Sequence, residues 1–368
     1  MIIVETMVAH NIVGQLGSIA VMGRWPERPP DGMLRGVDFY FESALARALT
    51  LSAQMFKNRH GYLPNLASPE TFSEHIFWRK FFAPLPMPSL ADKLAAYDYV
   101  KELVGDDFLP SVVWAGDNVS ELLASKPGAG RFVLKANNGC HFNMFLRLPG
   151  DLFVKRGEIE KQATRWLESR FGYAWGEWQY CTFKPRLFLE GFLDFDQGDT
   201  PDDLKFYCFG GKAGLIEIGV DRFTQLGTAF YDLSWKRFPV GYKYEPIHYG
   251  RPDNLDEMIR VAETIASGME FARVDLYSDG KRNIKFGEIT FTPGDALSRF
   301  TRACLGSDGG TGGPSRIADL EFDKWLGSLF GKVRSAGLAG EDGAPPGHNC
   351  HMRQATMAPL ANTMLARK

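Results

Sequence analysis

The stretch of sequence that decides the fold reads Phe271-Ala-Arg-Val-Asp-Leu-Tyr277, then a polar turn Ser278-Asp-Gly-Lys281, then Asn283-Ile-Lys-Phe-Gly-Glu-Ile-Thr-Phe-Thr292. Both apolar runs contain the β-branched and aromatic residues that are common in strands. A short polar turn with glycine typically joins two antiparallel strands. The pattern therefore predicts a β-hairpin near the C-terminal end of the chain.

Each strand of this predicted hairpin presents one carboxylate. Side chains alternate between the two faces of a strand, so Arg273 and Asp275 share one face, as do Glu288 and Thr290. With an even number of loop residues, Asp275 and Glu288 point the same way. Two carboxylates beside an arginine suit a divalent metal ion held against phosphate, whereas solvated strand carboxylates are the simpler alternative.

Composition and charge exclude several classes of protein. The chain has 368 residues, enough for two or three subdomains, and its formal net charge of −2 gives no electrostatic case for nucleic acid. The five cysteines show no CxxC spacing, which indicates a reduced, cytoplasmic protein without structural zinc. The apolar stretch 12–22 is short and interrupted by glycines, so no membrane insertion is expected.

Lys135 ends a short apolar strand and precedes a polar loop that contains Asn138, Gly139 and His141. A lysine at a strand end can hold one phosphate while backbone N–H groups of the next loop cover the others. The alternative is a surface lysine before a turn.

Three further segments contain candidate site residues. Lys205 lies in the strand-like run 203–209, where it must either reach solvent or meet an anion. The run Glu190-Gly-Phe-Leu193 ends a strand, and its backbone could pair with an adenine edge. Arg222 could grip an anionic substrate or simply pair with Asp221.

The order and spacing of these charged positions resemble those of the ATP-grasp fold. The sequence motifs are most similar to those of its TupA-like branch, which is associated with teichuronopeptide and other bacterial cell-surface polymer clusters. The resemblance spans about residues 63–305. It rests on these short matches: Leu63-Pro-Asn-Leu66, Glu70-Thr-Phe-Ser-Glu74, Ala91-Asp-Lys93, Phe132-Val-Leu-Lys-Ala-Asn-Asn-Gly139, Gly176-Glu-Trp-Gln-Tyr180, Asp203-Leu-Lys-Phe-Tyr-Cys-Phe209 and Phe286-Gly-Glu-Ile-Thr-Phe-Thr-Pro-Gly294.

The resemblance implies an α+β protein in which two α/β subdomains clasp ATP, preceded by a mostly helical N-terminal region. The expected parts are an irregular extension 1–36, a helical region 37–125, a first subdomain 126–193, a second subdomain 194–333 and a disordered tail 334–368.

The resemblance also implies roles for single residues. Lys135 would bind the α- and β-phosphates of ATP beneath a flap formed by residues 137–143. Arg273 would stabilise charge on the transferring phosphoryl group, with Lys205 facing the nucleotide from the second subdomain. The remaining nucleotide contacts would be Lys93, Asn138, Gly139, Glu190, Gly191, Phe192 and Leu193. Magnesium would be held by Asp275, Glu288 and Thr290, and substrate by Arg222 and His141.

The activity that the resemblance implies is that of an ATP- and Mg²⁺-dependent ligase of the carboxylate–amine or carboxylate–thiol type. A small-molecule or glycan-linked carboxylate would be phosphorylated and then attacked by an amine. Two alternatives stay open: a phosphotransferase on the same fold, whose phosphorylated product is stable, and a degenerate nucleotide-binding protein.

Overall fold

The computed structural model describes residues 38–83, 88–169, 171–172, 176–195, 202–220, 227–242, 248–303 and 316–338. The predicted N-terminal extension 1–36, the predicted substrate residue Arg222 and the chain beyond residue 338 lie outside these ranges.

Helices form most of the first part of the described chain, and further helices lie between and after the strands. Their bounds are α1 Asp38–His60, α2 Phe72–Phe82, α3 Lys93–Val104, α4 Val119–Ala124, α5 Gly150–Val154, α6 Arg156–Leu167, α7 Leu255–Ile265 and α8 Leu320–Leu338. Short 3₁₀ turns occur at Pro88–Ala91, Asp106–Phe108, Trp178–Cys181 and Pro293–Ala296.

The strands form two large sheets and one small one, all with antiparallel pairing. The first sheet has the order β1-β4-β2-β3 and consists of β1 Val112–Gly116, β2 Gly130–Ala136, β3 Asn143–Leu148 and β4 Leu187–Gly191. The second has the order β10-β9-β5-β6-β7-β8 and consists of β5 Asp202–Phe209, β6 Lys212–Val220, β7 Gly227–Tyr231, β8 Arg237–Phe238, β9 Phe271–Ser278 and β10 Ile284–Thr290. The small sheet pairs β11 Thr301–Ala303 with β12 Arg316–Ala318. Two sheets with their own helices, after a helical N-terminal region, confirm the predicted fold class.

Hydrophobic clusters hold the two large sheets and their helices together. In the first sheet, buried residues of β2, β3 and β4 pack against α6 through Ile159, Ala163 and Trp166. One face of the second sheet packs against α3 and α7, whose buried positions Leu255, Met258, Val261, Ala262 and Ile265 recur at helical spacing. The other face packs against α1, α2 and α8 through a ring-rich cluster that includes Phe72, Phe209, Phe271 and Phe330. The N-terminal helices therefore cover part of the face on which Asp275 lies.

The start of α2 follows from its sequence. Thr71 is the N-cap residue, and its hydroxyl accepts a hydrogen bond from the Glu74 N–H while the Glu74 carboxylate accepts one from the Thr71 N–H. This capping box satisfies two N–H groups that the first turn of a helix leaves free. Next to it, α8 approaches so closely that a Cβ at Gly327 would lie 2.3 Å from the Glu70 carbonyl oxygen. The N-terminal helices are thus packed firmly onto the second sheet and α8.

Two boundaries differ from the expected ones. The range 37–125 was expected to be helical, but β1 lies within it and pairs with β4, with Trp114 opposite Leu189. These partners are far apart in sequence, so the local pattern carries no sign of the pairing. At the other end, α8 continues to Leu338, past the expected boundary at residue 334. Among the described residues, no helix combines the length and apolar character needed to cross a bilayer.

Candidate active site

The polar face of the second sheet carries a row of four ionisable side chains, three acidic and one basic. The register places Glu217 of β6 opposite Lys205 of β5, Lys205 opposite Asp275 of β9, and Asp275 opposite Glu288 of β10. Directly opposite residues in antiparallel strands point to the same face. Asp275 and Glu288 therefore face the same way, although an odd number of residues, 279–283, separates the paired ends Ser278 and Ile284.

A β-bulge at Gly287 brings Glu288 into this register. The pairing of β10 with β9 shifts between Phe286 and Glu288. A Cβ at Gly287 would lie 3.1 Å from both the Asp275 carbonyl oxygen and the Tyr277 ring. Such close backbone approach is a reason for glycine within a strand.

Arg273 ties the hairpin carboxylates together. Its Nε and Nη2 atoms donate to the two oxygens of Asp275, each at 2.7 Å, and Nη2 also donates to the Thr290 hydroxyl at 3.1 Å. Glu288 Oε1 lies 3.5 Å from the same Nη2 and accepts a hydrogen bond from the Thr290 hydroxyl at 3.2 Å. Burial lowers the pKa of Arg273, but Asp275 and its other acidic neighbours outweigh burial and raise it above its usual value. The four predicted residues of this group form one connected cluster.

Lys205 meets two anions on the sheet face. Its ammonium forms an ion pair with Asp203 and lies 3.5 Å from Asp275 Oδ2, and its side chain is mostly buried. Of the two possibilities that the sequence leaves for Lys205, the structure shows contact with anions.

Lys93 links the hairpin to the predicted flap. It lies in the first turn of α3 and donates to the Gly139 carbonyl oxygen at 2.9 Å, with Glu288 Oε2 at 3.7 Å. Burial raises the pKa of Glu288, but Lys93, Arg273 and the hydroxyl of Thr290 more than offset this and keep it below its usual value. Glu288 is therefore ionised at neutral pH.

Lys135 faces a buried carboxylate and not open solvent. Its ammonium donates to Glu190 Oε1 at 2.6 Å, and the Tyr97 hydroxyl donates to the other oxygen of Glu190. Glu190 is 2% exposed. Burial and the Glu190 charge raise the pKa of Tyr97 well above its usual value, so the phenol keeps its proton. The three side chains join β2, β4 and α3.

The predicted adenine hinge begins inside the first sheet. The N–H of Gly191 donates to the Ser111 carbonyl at 2.8 Å, and that of Phe192 donates to the Arg131 carbonyl at 3.0 Å. The Arg131 guanidinium also lies over the Phe192 ring, 4.4 Å from its centroid. Because the N–H groups of Gly191 and Phe192 already donate to protein carbonyls, we expect any backbone N–H contact with adenine to come from Leu193.

The predicted flap is the hairpin loop between β2 and β3. The Asn138 amide donates to the Trp166 carbonyl at 3.0 Å, and the Phe142 ring stacks on Trp166 with centroids 5.8 Å apart. His141 is exposed and has a φ of 59°. Cys140 of the same loop is also exposed. Lys93 joins the flap loop to the β9–β10 hairpin, because it contacts both the Gly139 carbonyl oxygen and Glu288. The substrate role of His141 stays a prediction.

Sequence reasoning missed a buried acidic group beside these residues. Glu217 accepts a hydrogen bond from the Tyr207 hydroxyl at 2.5 Å, and that hydroxyl lies 2.9 Å from the Tyr242 hydroxyl. Burial raises the pKa of Glu217 despite the nearby Arg273 charge. The available signal was a lone glutamate in the apolar run of β6, but only the register places it beside Lys205.

The donor atoms of the hairpin fit magnesium. Carboxylate and hydroxyl oxygens are the ligands that Mg²⁺ prefers, and Arg273 gathers those of Asp275, Glu288 and Thr290 in one place. Within the described ranges, no group of three or more His, Cys, Asp or Glu side chains is arranged to hold a metal ion. Two carboxylates and one hydroxyl would leave the other positions to water and phosphate oxygens, which is usual for Mg²⁺ with nucleotides.

The TupA-like ATP-grasp family model matches residues 74–306, and no curated protein matches the sequence. Among solved structures, the ATP-grasp ligase PsnB complexed with minimal precursor is 13% identical with a TM-score of 0.35, and the match covers 68% of this chain and 62% of PsnB. The L-amino acid ligase from Bacillus licheniformis is 13% identical with a TM-score of 0.39, covering 68% and 56%. The D-alanine–D-alanine ligase from Bacillus anthracis is 14% identical with a TM-score of 0.35, covering 69% and 70%. The chain thus spans less than two thirds of the length of PsnB.

Proposed function

Because the chain belongs to the TupA-like ATP-grasp family, we propose that it is an ATP-dependent ligase that joins a carboxylate to an amine through an acyl phosphate. The observation that carries the proposal is the Arg273 cluster, in which Asp275, Glu288 and Thr290 share one guanidinium. A rigid sheet face with paired carboxylates and adjoining cations is suited to phosphoryl transfer, which depends on positioning and charge neutralisation.

The lysines would supply the charge that binds the triphosphate. Lys93, Lys135 and Lys205 are each paired with protein oxygens: Gly139 O, Glu190 and Asp203, respectively. Phosphate oxygens would compete for these ammonium groups, and the mostly buried setting of Lys135 and Lys205 strengthens their attraction for an anion.

Asp275, Glu288 and Thr290 would hold magnesium, which when bound neutralises charge on the transferring phosphoryl group. Arg273 keeps the Asp275 carboxylate in a fixed orientation through two hydrogen bonds. The low pKa of Glu288 keeps that side chain ionised, as a metal ligand requires.

The proposed reaction has two steps. A carboxylate oxygen of the substrate attacks the γ-phosphorus of ATP, the bond to the β-phosphate oxygen breaks, and ADP leaves. The amine nitrogen then attacks the acyl carbon, the bond to the phosphate oxygen breaks, and the nitrogen loses a proton. Arg273 and Lys205 would stabilise the charge that develops on phosphate in both steps.

We propose a carboxylate on a small molecule or glycan, such as a uronic acid or amino acid, and a role in assembling cell-surface polymers. Since ATP is the co-substrate, the reaction would take place in the cytoplasm.

The test is an ADP-release screen of carboxylate and amine pairs, with mass spectrometry of the products. An amide formed together with one ADP and one phosphate is expected, whereas a stable phosphorylated product would identify a phosphotransferase. Glu288→Ala should abolish turnover, because it removes a carboxylate from the Arg273 cluster. The control is Asp256→Ala, which removes a carboxylate that is 79% exposed and pairs with Arg251 at the surface. Wild-type ADP release by Glu288→Ala would refute the metal assignment.

A further inference from the structure

The loop that follows β10, residues 292–297, has an unusual backbone. Gly294, Asp295 and Ala296 have φ angles of 58°, 55° and 61°. A side chain in this left-handed region costs roughly 1–2 kcal/mol per residue. Two consecutive non-glycine residues in this region keep their conformation only if the surrounding structure holds them.

The groups that hold this loop come from the N-terminal helices. Lys80 of α2 forms an ion pair with Asp295. From the end of α1, His60 Nε2 lies 2.9 Å from the Ala296 carbonyl oxygen, and Arg59 Nε donates to the Leu297 carbonyl at 3.2 Å. Burial lowers the pKa of His60 to about 4, so the ring is neutral at pH 7 and meets this carbonyl as an N–H donor.

The Lys80 side chain is 1% exposed and that of Asp295 is 17% exposed. Taking a lysine ammonium out of water is costly unless a counter-charge meets it. Removing either partner would leave the other charge buried, so the contact fixes the loop against α2.

The same lysine touches a second segment of the site. Gly176 has a φ of 66°, and a Cβ there would lie 3.0 Å from the Phe81 ring and 3.3 Å from Cε of Lys80. The next residue, Glu177, accepts a hydrogen bond from the Thr292 hydroxyl, which in turn accepts one from the Gln179 amide at 3.0 Å. Lys80 therefore lies between the loop 292–297 and the segment 176–179.

This junction is continuous with the proposed metal site. Thr292 follows Thr290 by two residues on the same chain segment, and Glu177 is close enough to Glu288 for that charge to contribute to its pKa, which burial raises to about 7. The proposed ATP contacts lie on α3, the flap loop, β4 with the hinge that follows it, β2 and β5. The loop 292–297 adjoins the proposed metal site and carries none of these contacts, which leaves it available to the carboxylate and amine substrates.

We propose that Lys80 is a positioning residue for these acceptor substrates: from α2 it holds loop 292–297 and segment 176–179 at the end of β10. This inference rests on the proposed ligase function. Helices α1 and α2 would accordingly control the use of the acceptor substrates and leave nucleotide binding to other elements.

The test compares Lys80→Met with Lys80→Arg and with the surface control Lys324→Met, whose lysine on α8 is 44% exposed. Lys80→Met is expected to raise the KM for the carboxylate or amine at least tenfold, as when a uniform binding interaction is lost, and to leave Mg·ATP affinity within about twofold. Hydrogen exchange at the amides of Asp295 and Leu297, which are bonded to the Thr292 and Gly294 carbonyls, should become faster. Lys80→Arg should restore much of both properties, because it keeps the charge.

Asp295→Asn provides a second variant that keeps a side-chain oxygen, in case Lys80→Met does not fold. It should show the same rise in acceptor KM, and the effects of Lys80→Met and Asp295→Asn should not add in the double variant. Unchanged acceptor KM with unchanged exchange, or a loss of ATP affinity equal to the loss of acceptor use, would overturn the proposal. Exchange needs no turnover, so a failed ligase screen would refute the proposed function while the exchange result still decides whether Lys80 holds the loop.

Discussion

The contact between Lys135 and Glu190 allows a sharp test of how the first sheet forms its part of the site. Lys135→Met removes the ammonium that lies 2.6 Å from Glu190 Oε1 and keeps most of the side-chain volume. Glu190 then retains its hydrogen bond from Tyr97 but loses the counter-charge. In the variant, the Glu190 side chain, which is 3% exposed, must either keep an unpaired buried charge or take up a proton.

The expected loss of stability follows from this burial. Removing one partner of a buried ion pair costs about 3–5 kcal/mol. The Lys135 side chain is 16% exposed, so water screens the pair in part, and we expect the lower end, about 3 kcal/mol. Adding Glu190→Gln to Lys135→Met removes the orphaned charge and should recover about 2 kcal/mol, so the two substitutions should be strongly non-additive.

The assay is denaturant unfolding of the wild type, both single variants and the double variant, followed by calorimetry with Mg·ATP. The control is Lys184→Met, which breaks the exposed pair with Asp117 and should change stability by less than about 1 kcal/mol. Lys135→Met should also weaken ATP binding, because Lys135 is a proposed phosphate contact. A loss below about 1 kcal/mol would refute the buried pair, and unchanged ATP affinity would refute the phosphate role.

Two further predictions concern the bulge and a buried acid. Gly287→Ala should lower the free energy of unfolding by about 1–3 kcal/mol and abolish metal-dependent turnover while ATP binding is retained, because its Cβ would press on the Asp275 carbonyl. The control is Gly219→Ala, where a Cβ would have nothing within 4 Å. Equal activity of both variants would contradict the reasoning. Burial raises the pKa of Asp323 to about 7, although the Ser73 N–H that donates to its carboxylate opposes this. The folded state therefore binds this proton more tightly than the unfolded state, and the stability that Asp323 contributes is lost as the pH rises through 7. Asp323→Asn does not titrate, so between pH 5 and pH 8 the wild type should lose about 3 kcal/mol more than the variant in urea unfolding; parallel pH profiles would show the assignment to be wrong.

Much of the fold follows from local chemistry. The polar turn after Ser278 predicts the β9–β10 hairpin, which the pairing of these strands confirms. Thr71 with Glu74 marks the start of α2. Such signals act over a few residues, so a linear pattern contains them completely.

By itself, the sequence determined the β9–β10 hairpin, the start of α2, the order of the charged residues and the likeness to a known family. Only the tertiary structure decided that β1 joins the first sheet, that Glu217 lies beside Lys205, and that Lys80 meets Asp295. These contacts join segments that are distant along the chain. Their pairing depends on strand order, register and the burial of charge, which are properties of the folded molecule and are not encoded in any short run of residues.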